Sequence, residues 1–189
     1  MWVFLVTEIM FFGGLLTAYV VYRTAYPEVF ATASHHLNVY LGTFNTIVLI
    51  GSSLTMAMAV HSARLNQRQK LAVYLILTMI LGSVFLGVKA YEYTHKWHEG
   101  LFPGNFFYAG PDAVHQRLFF SVYFALTGLH ATHMIIGIGI MLVILRMSMK
   151  GRFDETWYTP VEITGLYWHF VDLVWIFLFP LLYLIQRHG

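Results

Sequence analysis

The sequence predicts an all-α bundle embedded in a membrane, on three observations: apolar side chains dominate, they gather in runs as long as a bilayer is thick, and those runs are too long and too continuous to be strands. Of 189 residues, 58% are hydrophobic and 11% charged, against about a quarter charged in soluble domains, so too few polar side chains are present to coat a water-facing surface. The 16 Phe, 12 Tyr and 5 Trp suit helix interfaces and the headgroup belts where aromatic rings anchor spans.

A hydrocarbon core about 30 Å thick is crossed by roughly 20 helical residues. Residues 2–22, 39–60, 71–88, 118–145 and 163–185 meet that length. Barrel strands would read as segments of about ten residues with alternating polarity, and glycines are tolerated in membrane helices. The fourth run, without Asp, Glu, Lys or Arg, amounts to about 42 Å of helix and is expected to tilt or to project beyond the membrane. The connections fall at 23–37, 61–70, 89–117 and 146–160, with no internal repeat, so residues 1–189 read as a single transmembrane domain. The first run begins at Trp2 without a basic leader or cleavage site, and the chain is expected to open inside or just before that span.

The net charge of +2 is small and the basic residues are dispersed in short loops, which argues against a nucleic-acid partner. Arg64, Arg68, Lys70, Arg146, Lys150 and Arg152 fall on one side, and Arg23, Lys89, Lys96, Arg117 and Arg187 on the other, spread over longer loops. The positive-inside rule then predicts a cytoplasmic N-terminus and an outer C-terminus. With no cysteine, the chain can hold no disulfide, iron–sulfur cluster, covalently attached c-type haem or thiolate-bridged copper pair.

Ionisable groups inside a span are costly unless neutral, paired or facing a wet interior, which makes each a functional candidate. They are Glu8, His130, His133, His169 and Asp172. For Glu8, His169 and Asp172 two readings stand: a protonatable group on a proton path, or a clamp that fixes helix packing. His169 and Asp172, three apart, share a helix face. His130 and His133, one turn apart, have the spacing of a metal-binding pair, but a closed site needs about two more ligands, and interhelical hydrogen bonding is the simpler reading. Gly42, Asn45, Thr46, Ser52, Ser53 and Thr55 in the second span read as generic small or weakly polar packing residues.

Several strings together carry a family resemblance: Thr7-Glu8-Ile9-Met10-Phe11-Phe12, Asn45-Thr46, Tyr91-Glu92-Tyr93, Thr127-Gly128-Leu129-His130-Ala131-Thr132-His133 with Gly137, and Trp168-His169-Phe170-Val171-Asp172-Leu173-Val174-Trp175 preceded by Glu162. In order and spacing the chain resembles subunit III of the haem-copper respiratory oxidases, of the cytochrome c oxidase type.

The resemblance implies a subunit with no catalytic centre of its own. It would pack on oxidase subunit I, meet subunit II and other respiratory-complex subunits, bind phospholipid, bind no metal, leave haem and copper to its partners, and support proton uptake and stability during oxygen reduction. Glu8 matches the family's buried acidic position and Arg146 a lipid-headgroup position. Asn45, Glu92, His130, His133, Glu162, Trp168, His169 and Asp172 would form a structural polar core. Longer members of the family have seven spans and this chain corresponds to their last five, a form found in bacteria, so a bacterial inner membrane is expected. Alternatives are a quinol-oxidase subunit III, a nitric oxide reductase accessory subunit, and, from other classes, a stand-alone transporter or a metal enzyme built on His130 and His133. The transporter reading lacks inverted repeats and paired broken helices.

Overall fold

A computed structural model describes residues 2–28, 30, 32, 37–102, 113–153 and 157–184, which are 90% helical and contain no strand. Five helices are long and apolar enough to cross a membrane: α1 (Trp2–Ala25), α2 (Val39–Arg64), α3 (Arg68–His98), α4 (Ala113–Met149) and α5 (Thr159–Phe179), the last continued by a π-helical turn at Pro180–Leu184. In lipid every backbone N–H and C=O must be satisfied within its own segment, which the helix does by itself.

The helix ends follow from local chemistry. Asn38 caps α2, its side-chain oxygen accepting from the amides of Tyr40 at 3.0 Å and Leu41 at 3.4 Å. Asn66, with φ of 54°, makes the tight α2–α3 turn in the left-handed region that Asn tolerates. Gly100 and Gly151 close α3 and α4 at φ of 69° and 68°, and the next amides reach back to the carbonyls of Lys96 at 3.1 Å and Met147 at 3.2 Å, as in left-handed C-caps. Pro160 sits in the first turn of α5, where its missing N–H costs nothing. Pro180 cannot donate to the preceding turn, and the chain widens to π geometry there.

The helices extend past the apolar runs. The third passes Val88 and continues to His98, so Lys89, Glu92 and Lys96 belong to a helix, although the sequence reading began a loop at Lys89. The physical reason is that pairing removes the cost that hydropathy assigns to each charge alone.

Contacts divide the chain into two units. The first comprises Met1–Thr43, Val88–Leu129 and Phe177–Gly189. Its core holds an aromatic cluster in which the Phe30 and Phe119 rings meet edge-on at 5.3 Å and Tyr19 lies 5.6 Å from Phe30. The Tyr19 hydroxyl leaves that cluster to donate to the carbonyl of Leu181 at 2.8 Å. The second unit comprises Phe44–Gly87 and His130–Ile176, and is centred on Trp168, which is fully buried. Gly82 and Gly137 make room for its indole: a Cβ at either position would stand 2.9 Å from a ring carbon of Trp168.

A ring held on all sides cannot yield a few tenths of an ångström. Gly137→Ala is therefore expected to destabilise by about 1–3 kcal/mol through overpacking. Gly139→Ala, where a Cβ meets nothing within 4 Å, should stay within about 0.5 kcal/mol. Thermal unfolding of the detergent-solubilised complex distinguishes the two; equal midpoints for both variants would contradict the close approach.

Candidate functional site

The first unit buries a complete ionic cluster. Lys89 and Glu92 stand one turn apart on α3, each 3% exposed. The Lys89 ammonium donates to Glu92 Oε2 at 2.9 Å, to the Tyr183 hydroxyl at 2.7 Å and to the Tyr123 hydroxyl at 3.3 Å. Those acceptors match its three protons. Each phenol passes its own proton to Glu92 Oε1, from Tyr183 at 2.7 Å and from Tyr123 at 3.0 Å. The Lys89 nitrogen also lies 5.2 Å from the Tyr183 ring centre and 5.4 Å from that of Tyr123, close enough for cation–π attraction. Tyr93 extends the polar region by bonding Thr127 at 2.5 Å.

Beside the cluster an open cavity of about 430 Å³ is lined by Asn38, Tyr40, Tyr91, Glu92, Lys96 and Glu99 among others. Lys96 donates to Glu99 at 2.7 Å, and His95 stands 3.1 Å from the same carboxylate.

The second unit is laced by side-chain bonds between α2 and α5. Thr46 accepts from the Trp175 indole at 3.1 Å, Ser52 from the Trp168 indole at 2.7 Å, and Ser53 pairs with His169 Nδ1 at 2.7 Å. From Thr46–Trp175 through Ser52–Trp168 to Arg64–Glu162 the α2 partner advances while its α5 partner moves back, which defines an antiparallel register. At the loop end Arg64 reaches Glu162 through Nη2 at 2.6 Å and Nε at 3.1 Å. Thr55 and Thr78 join α2 to α3 at 2.7 Å.

The remaining sequence candidates separate by environment. His130 is buried among rings, 5.4 Å from Phe85 and 5.2 Å from Trp175. His133 is buried, and its backbone carbonyl accepts from Tyr167 at 3.0 Å. Among the described residues no group of three or more His, Asp or Glu is gathered closely enough to hold a metal ion. Asn45 is fully buried, and its amide makes no hydrogen bond within the described residues. Asp172 is 3% exposed, with the Ser53 hydroxyl beside its buried carboxyl group. Glu8 is half-buried in α1 and Arg146 is exposed in the last turn of α4.

The structure thus joins Glu92 to Lys89, Glu162 to Arg64 and His169 to Ser53. Sequence reasoning missed Lys89, Tyr123 and Tyr183 as members of a site. The available signal was the Lys-x-x-Glu spacing, which on a helix places both groups on one face.

A family model described as cytochrome c oxidase subunit III matches residues 1–186. The chain belongs to that family. It is 35% identical over 191 residues to the cytochrome c oxidase subunit 3 of Corynebacterium diphtheriae, with 97% of this chain and 85% of that relative covered. It is 36% identical over 183 residues to the subunit 3 of Synechocystis sp., covering 96% and 72%. The quinol oxidase subunit 3 of Bacillus subtilis is 33% identical over 191 residues, covering 100% and 86%. Membership in the family makes this a membrane-embedded subunit III of a haem-copper oxidase of the cytochrome c or quinol type, associated with other oxidase subunits.

Removing one partner of a buried ion pair strands the other charge. Lys89→Met is therefore expected to cost about 3–5 kcal/mol, and the double variant Lys89→Met with Glu92→Leu to recover much of that loss. A double-mutant cycle on the thermal stability of the complex measures the coupling. Additive losses would show that the two charges do not depend on each other.

Proposed function

We propose that this chain is the non-redox subunit III of a cytochrome c-type terminal oxidase in a bacterial inner membrane. In this reading it packs on subunit I, stabilises the complex during oxygen reduction and supports proton uptake through Glu8, while haem and copper remain in partner subunits. The observation that carries the structural role is the closed Lys89–Glu92–Tyr123–Tyr183 cluster. Its charges are spent on one another at 2.7–3.3 Å, as befits a scaffold built for durability. The absence of cysteine and the packing of His130 between aromatic rings favour a chain that supplies no redox ligand.

The position of Glu8, half-buried near the start of an apolar helix, supports a proton role on the side where α1 begins. Lys89 and Lys96 are paired inside α3 and do not count as free loop cations, which sharpens the positive-inside bias toward a cytoplasmic N-terminus. Glu8 then lies toward the cytoplasm, from which an oxidase draws its protons. Arg146, exposed at the end of α4, suits a phospholipid headgroup on the same side. Bacterial relatives support the location.

The quinol-oxidase reading is kept alive by a relative of that type at 33% identity. Turnover of the purified complex with reduced cytochrome c against a quinol decides between them; oxidation of quinol alone would overturn the cytochrome c assignment.

Depleting this chain is expected to preserve the haem and copper content of the complex while shortening its active lifetime. Optical spectra and metal analysis check this, and stoichiometric loss of a haem or copper with the other subunits still folded would overturn the non-redox role. Glu8→Gln should assemble normally yet slow steady-state turnover modestly or change the rate of inactivation. Wild-type kinetics in a fully occupied variant complex would leave Glu8 a structural residue.

A further inference from the structure

The seam between α2 and α5 in the second unit opens into two adjoining cavities. One, of about 370 Å³, lies toward the loop end and is lined by His61, Arg64, Glu162, Gly165 and His169 among others. The other, of about 360 Å³, is walled mainly by apolar side chains, among them Leu49, Leu54, Leu173 and Ile176, with Ser53 and Asp172 between them. His169 and Ala57 line both, so the imidazole stands at the junction. Each volume falls in the range of sites for small organic ligands, about 300–1,000 Å³, and an apolar hollow with a few convergent polar groups is their usual form.

The polar groups at the junction have a definite hydrogen-bond order. Ser53 has one hydroxyl proton to give, and the carboxyl of Asp172 beside it is the stronger acceptor. Ser53 Oγ, 2.7 Å from His169 Nδ1, then accepts the ring proton. A neutral imidazole protonated on Nδ1 carries a bare lone pair on Nε2, and no described residue bonds that nitrogen. His169 lies seven residues beyond Glu162 on α5, about 10 Å further into the span. Charged headgroups stay outside the hydrocarbon at that depth, and Arg64, the cation lining the mouth, is already paired with Glu162 at 2.6 Å. The fitting occupant is therefore neutral, offers an O–H to Nε2, and carries hydrocarbon to follow the apolar cavity.

We infer that this seam is a binding site for an isoprenoid quinol, a neutral hydroquinone ring on a long apolar tail, with one ring hydroxyl donating to His169 Nε2. The ring occupies the cavity toward Arg64 and Glu162, where Gly165 adds no side chain to the wall, and its second hydroxyl faces that polar mouth. The tail lies along Leu54, Leu173 and Ile176. An acceptor at Nε2 selects the reduced form, because a quinone carbonyl has no proton to give. Asp172 and Ser53 act as positioning residues that fix the imidazole tautomer. The site holds the quinol without transferring electrons, whichever donor the oxidase accepts.

The test uses the complete detergent-purified complex, kept anaerobic with a reductant, and a hydroquinone probe whose alkyl tail carries a diazirine. After photolysis, peptide mass spectrometry should find label in residues 49–57 and 165–176 at least fivefold above the stretch of α4 around Val143, which is 54% exposed. Excess unlabelled hydroquinone should displace it, and the same probe in its quinone form should label these segments at least threefold less. His169→Phe, which keeps a ring but no acceptor, should lower quinol labelling at least threefold. Asp172→Asn still accepts from Ser53 and should keep the preference for quinol. Asp172→Leu frees the Ser53 proton for His169 Nδ1, moves the ring proton to Nε2, and should reverse the preference toward quinone. Should Asp172→Leu deplete the chain from the complex, Ser53→Ala decides instead, and it should abolish the preference. Label no higher than around Val143, label that excess hydroquinone does not displace, equal labelling by both redox forms, or wild-type labelling of His169→Phe would overturn the inference. So would a preference for quinol that survives both Asp172→Leu and Ser53→Ala. Any of these in a complex that retains haem leaves the oxidase reading intact, whereas a chain that purifies without haem-containing partners would refute that reading and not the site.

Discussion

In hydrocarbon a polar group has no water to fall back on, so its worth to the fold depends on whether the protein itself supplies every partner. Lys89 shows how far that demand reaches. An isolated ammonium would be expelled toward the surface, yet here three acceptors stand within 3.3 Å of it. Two of those acceptors return their own protons to the same carboxylate. The cluster gathers side chains from α3, α4 and the π-helical turn after α5, so the first unit cannot shift one of these elements without exposing a charge. Such a network is poor evidence of net stability against an apolar replacement, but it strongly penalises partial disruption. It thereby favours one arrangement of the helices.

The second unit answers the same constraint with neutral groups. Hydroxyls of Thr46, Ser52 and Ser53 accept from, or pair with, Trp175, Trp168 and His169. Because the donors are large rings, each bond also sets a packing distance, and Gly82 and Gly137 are the complementary spaces. Hydrogen bonds between membrane helices contribute about 0.6–2 kcal/mol each. Several in one register matter more through specificity, since a one-residue slip would leave indole and imidazole nitrogens facing apolar atoms.

The helices were legible in the sequence because lipid enforces a single simple rule, a long apolar run, and all five runs became helices. Hydropathy misread Lys89 because it scores residues singly, whereas the cost of a charge depends on neighbours brought by distant segments: Tyr123 and Tyr183 lie 34 and 94 residues away. Ser52 and Ser53 illustrate the same limit, since nothing local distinguishes them from the other small residues of α2. Glu162 was legible as a candidate, but its partner Arg64 lies 98 residues away and was counted only as a loop cation.

Glu92 and Asp172 show two ways in which an acid is held inside a membrane helix. Both are acids at 3% exposure within membrane helices, so burial alone does not separate them. Glu92 has a cation and two phenols arranged around it. Asp172 lines an open groove with the Ser53 hydroxyl beside it. Replacing Glu92 by leucine would strand the Lys89 charge, whereas replacing Asp172 would remove only a contact with a neutral hydroxyl, so the two acids constrain the fold to different degrees.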